Sequence, residues 1–287
     1  MEIPSAPNIL KAMGWSFGDA ADKMIKMANY AKSKGLRVTV FLVAITDAPL
    51  DSIEEFIKKI LDGADVDSIA IPDTLSKCLP NAIYHLVRKI KEWTDKPVEI
   101  HSHNAFSMGV ANAMAGVMAG AEVVHTCVNG LGEGTGNASL DAVAVNLKLM
   151  LGIDTGVNFK KTYELSKLVE KLTRVPLQAN WPLSGERVFT TEAGIAVDIY
   201  AKMAKAGVSL PPEQDLAINI GRTRGIAIGK LSGGTSITIK MKQLGLPEVS
   251  KEEISQILDR VKQKSIEKHD TLTDDEFKQV VSAINGS

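Results

Sequence analysis

Short β-branched runs alternate with amphipathic stretches from residue 16 to residue 151, in units of roughly thirty to forty residues joined by short links. Connections of that length cross over between parallel strands, so the pattern predicts a parallel sheet wrapped by helices. Ser16 is placed to cap a helix carrying Ala20, Met24, Met27 and Tyr30 at three- and four-residue spacing, ending near Gly35. A β-branched run over 37–44 follows, and Asp51-Ser52 opens a helix with Ile53, Phe56, Ile57 and Ile60 on one face. Strands are expected over 68–72, 98–103 and 122–128, and helices over 79–93, 108–119 and 140–151. Residues 1–4 read as the end of one further strand.

Beyond residue 155 the strand rhythm stops. Residues 160–173, 190–206, 212–230 and 251–283 carry mostly helical patterns joined by Pro- and Gly-containing turns. The expected fold is therefore α/β: a partial (β/α) TIM-type barrel of about five β/α units over 1–155. A helical C-terminal region over 156–287 follows it. A doubly wound sheet would share this periodicity, but no early glycine-rich phosphate-binding fingerprint is present. The candidate chemical groups fall at strand C-termini, the rim where (β/α)-barrel sites lie.

With a formal net charge of -1 the chain has no electrostatic signature for nucleic acid or membrane surfaces. It holds no apolar run of membrane-spanning length and no charged-then-apolar leader pattern. Its two cysteines, Cys78 and Cys127, sit in helix-start and strand patterns that predict shielded free thiols and a cytoplasmic location.

His101-Ser102-His103-Asn104 places two imidazoles at i and i+2 of a predicted strand, on the same side, where both can grip one ion. Alone, such a pair is as readily two half-buried histidines satisfied by backbone carbonyls. The glycine-rich turn 128–137 favours the ion, because it can bring an amide oxygen close as a third ligand. Imidazole and amide donors suit Mg, Mn, Co or Zn. His125 reads as a strand-end structural residue or a support behind the ligands, and His85 and His269 as helix-surface residues. Met24, Met27, Met108, Met114 and Met118 follow helical spacing and are expected in the core. Arg222, Arg224 and Lys230 form a basic cluster suited either to a CoA phosphate or to an ordinary surface role.

Four segments, HSHN, VNGLGEGTGNASL, TEAGIAVD and GRTRGIAIGKLSGG, resemble the metal-dependent acyl-CoA enzymes that include 2-isopropylmalate, homocitrate and citramalate synthases and hydroxymethylglutaryl-CoA lyase. The likeness to the synthase branch runs from residue 1 to about 246. It implies that His101, His103 and Asn137 ligate a divalent cation and that Asp73, Thr74, Asn104 and Asn129 line the substrate. It also implies catalytic roles for Thr46 and Glu133, the latter close to an acyl-CoA.

The departures are equally specific. The family's Asp-Arg-Glu signature, source of a metal-binding Asp and a catalytic Arg, is missing from these residues. Val43-Ala44 stands where synthases carry an acidic pair, and Asp47 where an Arg is common. Ala105 replaces an Asp, Gly134 an Arg, and Ala196 a His thought to assist catalysis. The resemblance thus implies one subunit of a divalent-metal-dependent acyltransferase that condenses acyl-CoA with a 2-oxo acid. A second subunit would supply the first β/α units in a hetero-oligomer. A C–C lyase or aldolase of the same superfamily, and a non-catalytic subunit that retains the metal, remain as alternatives.

Overall fold

The computed structural model describes residues 1–208 and 215–285. The chain divides into two compact units: Met1–Asn158 with Glu164–Pro176, and Phe159–Tyr163 with Leu177–Ser287.

The first unit contains β1 (Glu2–Pro4), α1 (Pro7–Met13), α2 (Phe17–Ser33), β2 (Thr39–Val43), α3 (Leu50–Gly63), β3 (Ser68–Asp73) and α4 (Pro80–Trp93). It continues with β4 (Val98–Ser102), α5 (Gly109–Ala119), β5 (Val123–His125), α6 (Leu140–Leu151) and most of α7 (Thr162–Thr173). The five strands lie in chain order and every pairing is parallel. This is the expected partial TIM-type barrel, and the sheet is not closed.

The local chemistry explains the elements. Ser16 caps α2 by accepting from Asp19 N at 3.1 Å, while the Asp19 carboxylate accepts from Ser16 N at 2.8 Å. This reciprocal pair stabilises a helix start by about 1 kcal/mol. Alternation along the strands sends Val40, Leu42, Ile69, Ile71, Val98 and Ile100 to the helix side. There they form one buried cluster with Met24 of α2, Phe56 of α3, Ile90 of α4 and Ala119 of α5. The opposite parity, Thr39, Phe41, Ser68, Glu99, His101 and His125, faces the barrel interior and is polar except at Phe41.

Several boundaries differ from the sequence reading. The strand expected over 122–128 stops at His125, because Cys127 turns its backbone to accept from Leu140 N and donate to Ala138 O. Most of α7, which the sequence grouped with the helical region, belongs to the first unit; Ser166 and Asn129 exchange two hydrogen bonds there. Met24 is fully buried, whereas Met27 and Met118 are exposed, Met118 at 60%, since their helix faces point away from the sheet.

The second unit contains β6 (Thr190–Thr191), α8 (Gly194–Lys205), α9 (Leu216–Asn219), β7 (Gly225–Ile226), α10 (Gly234–Gln243), α11 (Lys251–Lys268) and α12 (Asp274–Asn285). Its core joins Ile237 and Met241 of α10, Ile257 and Val261 of α11, and Phe277, Val280 and Val281 of α12. Of the helical stretch expected over 212–230, residues 212–214 lie outside the described residues, and the remainder holds only α9 and the short β7. The periodicity over 251–283 is two helices, separated where His269 adopts φ 59°. α10 escaped the sequence reading because Thr-Ser-Ile-Thr-Ile carries β-type residues, and tertiary packing overrides that propensity. Among the described residues no helix is long and apolar enough to cross a membrane.

Candidate metal and active site

The end of β4 and the glycine-rich turn are laid side by side. Ala138 N donates to Ser102 O at 3.1 Å, Asn104 N donates to Gly136 O at 2.9 Å, and His103 forms an antiparallel bridge with Asn137. Asn137 is thereby delivered to the histidines: its Nδ2 stands 3.0 Å from Nε2 of His101. The His101 and His103 ring centroids are 5.0 Å apart at 68°. The turn needs glycine at its closest points. At Gly132 (φ +157°) an added Cβ would stand 2.0 Å from Asn137 Oδ1, and at Gly136 (φ +82°) 1.8 Å from Gly130 O.

Among the described residues no group of three His, Cys, Asp or Glu side chains is arranged to hold a metal ion, so a third donor beside His101 and His103 would be of another type, and the Asn137 amide is at hand. A half-turn of that amide would present Oδ1 to the space where Nδ2 now meets His101. Two imidazoles from one strand end and an amide oxygen from one turn would be a set that suits borderline and hard divalent cations. The fit is that of an incomplete shell of neutral donors. Burial, then the neighbouring His103 and His125 rings, push the His101 imidazole down to about 4, which keeps it neutral and able to ligate at neutral pH.

Behind the ligands lies a buried carboxylate. Glu99 accepts from Ser68 Oγ at 2.5 Å and Thr39 Oγ1 at 3.1 Å, and its other oxygen is 2.7 Å from His125 Nε2. Burial alone would raise its pKa, but the hydrogen bonds from Ser68, His125 and Thr39 outweigh that and hold the carboxyl below its usual range. His125 Nδ1 is 3.3 Å from His101 Nδ1. Glu99 went unnoticed in the sequence, although a charged residue two positions before His101 on a strand was the available signal.

The expected substrate residues are largely engaged by the fold. Asp73 is fully buried, and its carboxylate accepts from Lys77 N at 3.1 Å, Cys78 N at 3.3 Å and Asn112 Nδ2 at 3.2 Å. Burial pushes its pKa up, and these bonds offset that only in part. Thr74 Oγ1 accepts from Ala44 N at 2.9 Å and steadies that residue at φ 57°. Asn104 Oδ1 accepts from Gly109 N at 3.0 Å. Asn129 donates to Ser166 O at 3.0 Å and accepts from Ser166 Oγ at 2.5 Å. These bonds fix the four side chains in place: Thr74 Oγ1 and Asn104 Oδ1 each accept one backbone hydrogen bond. Thr46 is half-buried with Oγ1 3.5 Å from Asp73, and Glu133 is exposed on the glycine-rich turn. Both cysteines are free thiols, and burial pushes Cys78 up to about 11.

The basic cluster is also occupied internally. Arg222 donates to the carbonyls of Leu183, Gly185 and Glu186 and lies 3.8 Å over the Tyr163 ring. Arg224 pairs with Asp215 at 3.1 Å.

A family profile described as HMGL-like matches residues 4–169. The 2-isopropylmalate synthase of Methanocaldococcus jannaschii is 35% identical over 269 residues, which cover 92% of this chain and 50% of that protein. The homocitrate synthase of Methanothermobacter thermautotrophicus is 32% identical over 268 residues, covering 93% of this chain and 66% of that one. The chain therefore spans between half and two-thirds of the length of these relatives. The crystal structure of the Bacillus subtilis HMG-CoA lyase superposes with a TM-score of 0.55 at 17% identity, over 61% of this chain and 63% of that chain. That likeness concerns the fold.

Proposed function

The chain belongs to the HMGL-like family, and we propose that it carries the cation-gripping part of a divalent-metal-dependent acyltransferase that joins an acyl-CoA to a 2-oxo acid. The observation that carries this reading is the 3.0 Å contact between His101 Nε2 and the Asn137 amide, with the His103 ring 5.0 Å from that of His101. A divalent cation bound there supplies Lewis acidity toward the oxygens of the 2-oxo acid. All three donors are neutral, so the site favours anionic partners: the substrate carboxylate and a further side-chain carboxylate. The turn packs so closely at Gly132 and Gly136 that it holds Asn137 in place. Glu133, exposed on that turn, is assigned to the acyl-CoA, and Thr46 to the reacting carbonyl.

The further carboxylate, and an arginine to stabilise the developing alkoxide, are assigned to a second chain that completes the barrel. The open sheet supports this. β1 and β5 are its edges, and the interior face keeps Phe41, His101, His103 and His125 only half-buried. A sheet face left half-covered between two edge strands is a surface suited to be covered.

The test is release of CoA thiol from acetyl-CoA by the assembled complex, with manganese and a panel of 2-oxo acids. Thiol release that requires both the cation and a 2-oxo acid, and that His103→Ala abolishes, is the expected result. A complex that assembles and binds manganese but releases no thiol with any 2-oxo acid contradicts the catalytic reading and points to a structural subunit.

A further inference from the structure

Resting on that metal site, we propose that Glu99 and His125 are positioning residues that set the tautomer of His101 and aim its Nε2 lone pair at the cation.

Ser68 Oγ and Thr39 Oγ1 both donate to Glu99 Oε1, which fixes the carboxylate's rotamer and leaves Oε2 directed at His125. An ionised carboxylate only accepts, so the hydrogen on the 2.7 Å contact belongs to His125 Nε2. The other His125 nitrogen, Nδ1, lies 3.3 Å from Nδ1 of His101, and two ring nitrogens facing each other need one donor and one acceptor. Asn137 Nδ2 can only donate, so the His101 Nε2 that it meets at 3.0 Å is a lone pair, and His101 carries its proton on Nδ1, facing an accepting His125 Nδ1.

Packing holds the planes that this relay needs. Phe41 meets His101 edge-on at 5.1 Å and stacks on His125 at 6.0 Å, so neither ring can swing away without losing an aromatic neighbour. The relay spans four strands: Thr39 on β2, Ser68 on β3 and Glu99 on β4, with His125 on β5 closing it back onto His101. A buried carboxylate in mid-strand is costly in an apolar setting, and here each of its oxygens serves the orientation of one histidine pair.

The experiment uses the full chain labelled with 15N-histidine and a long-range 1H–15N correlation spectrum, with rings assigned through His101→Asn and His125→Asn. The wild-type, cation-free protein is expected to show His125 protonated at Nε2 and His101 at Nδ1. Glu99→Gln, isosteric but able to donate, should scramble the His101 tautomer and weaken cobalt binding by about 10–100-fold. A wild-type His101 protonated at Nε2 would overturn the relay, and this reading needs no variant to fold. So would a Glu99→Gln protein with unchanged tautomer and unchanged cobalt affinity. Failure of the wild type to bind cobalt at all, with the tautomers as described, would instead count against the metal site on which the relay was placed.

Discussion

Asn137 and His101 are separated by 36 positions in the chain, yet the amide nitrogen of one stands 3.0 Å from the imidazole Nε2 of the other. The backbone bridge between His103 and Asn137 makes that meeting obligatory once β4 and the glycine-rich turn have formed. Replacing Asn137 by Ala removes the third donor without touching the core. Cobalt binding, followed by its visible absorption, should weaken by at least about tenfold, since even support residues behind a ligand are worth that much. Asn137→Asp should do the opposite, because an anionic oxygen offsets the cation's charge. Equal affinities for wild type, Asn137→Ala and Asn137→Asp would remove Asn137 from the ligand set.

The turn gives a paired prediction. Gly132→Ala must push an added methyl away from Asn137 Oδ1 at a φ that side chains rarely adopt, costing roughly 1–3 kcal/mol of strain and displacing the amide. Gly134→Ala also sits at positive φ (+62°) but meets nothing within 4 Å, so its cost is the backbone term alone, about 1–2 kcal/mol. Urea unfolding should show both losses, whereas cobalt titration should show a loss only for Gly132→Ala.

Ile100 lies fully buried between the histidine-bearing face of β4 and the helices that cover the sheet, and Gly116 of α5 approaches it so closely that a Cβ there would stand 3.1 Å from its Cγ1. Ile100→Ala should lower unfolding free energy by about 2–5 kcal/mol in urea, the range for a deleted core side chain. A change within about 0.5 kcal/mol, typical of exposed positions, would contradict the packing described.

In the second unit, two carboxylates tie α11 to its surroundings. The Arg187 guanidinium and the Thr271 backbone hold Asp270 down to about 2, and Lys268 with Thr273 holds Glu276 to about 2. Both lie below the ordinary carboxylate values of 3.8 and 4.5. Their contribution is therefore complete above about pH 5 and is lost as the pH falls from about 4.5 through 2, where both states become protonated. Thermal unfolding of the full chain should show a falling transition across that window. The double variant Asp270→Asn, Glu276→Gln should flatten it, and an unchanged slope would show the pairs to be ornamental on an exposed surface.

The parallel sheet was legible because its strands are short β-branched runs set between helical stretches at crossover length, and because inward and outward positions alternate with a period of two. His101, His103 and Asn137 were legible as a motif. What the sequence could not show was where polar side chains are already engaged. Asp73, Thr74, Asn104 and Asn129 look like substrate groups in a linear motif, and the motif does not reveal the bonds that each also makes within the fold. Glu99 was hidden for the converse reason: its partners Thr39, Ser68 and His125 come from three other strands, and no local pattern encodes that junction. α10 was missed because burial of Ile237 and Met241, a tertiary effect, outweighs the β propensity of its residues.

The central claim is that His101 and His103 hold a divalent cation. Equilibrium titration of the full chain with manganese, read by calorimetry beside His101→Ala and His103→Ala, tests it most directly. One ion per wild-type chain, with affinity sharply reduced in each variant while the far-ultraviolet dichroism is unchanged, is the predicted result. Binding of equal strength and stoichiometry by all three proteins would contradict it.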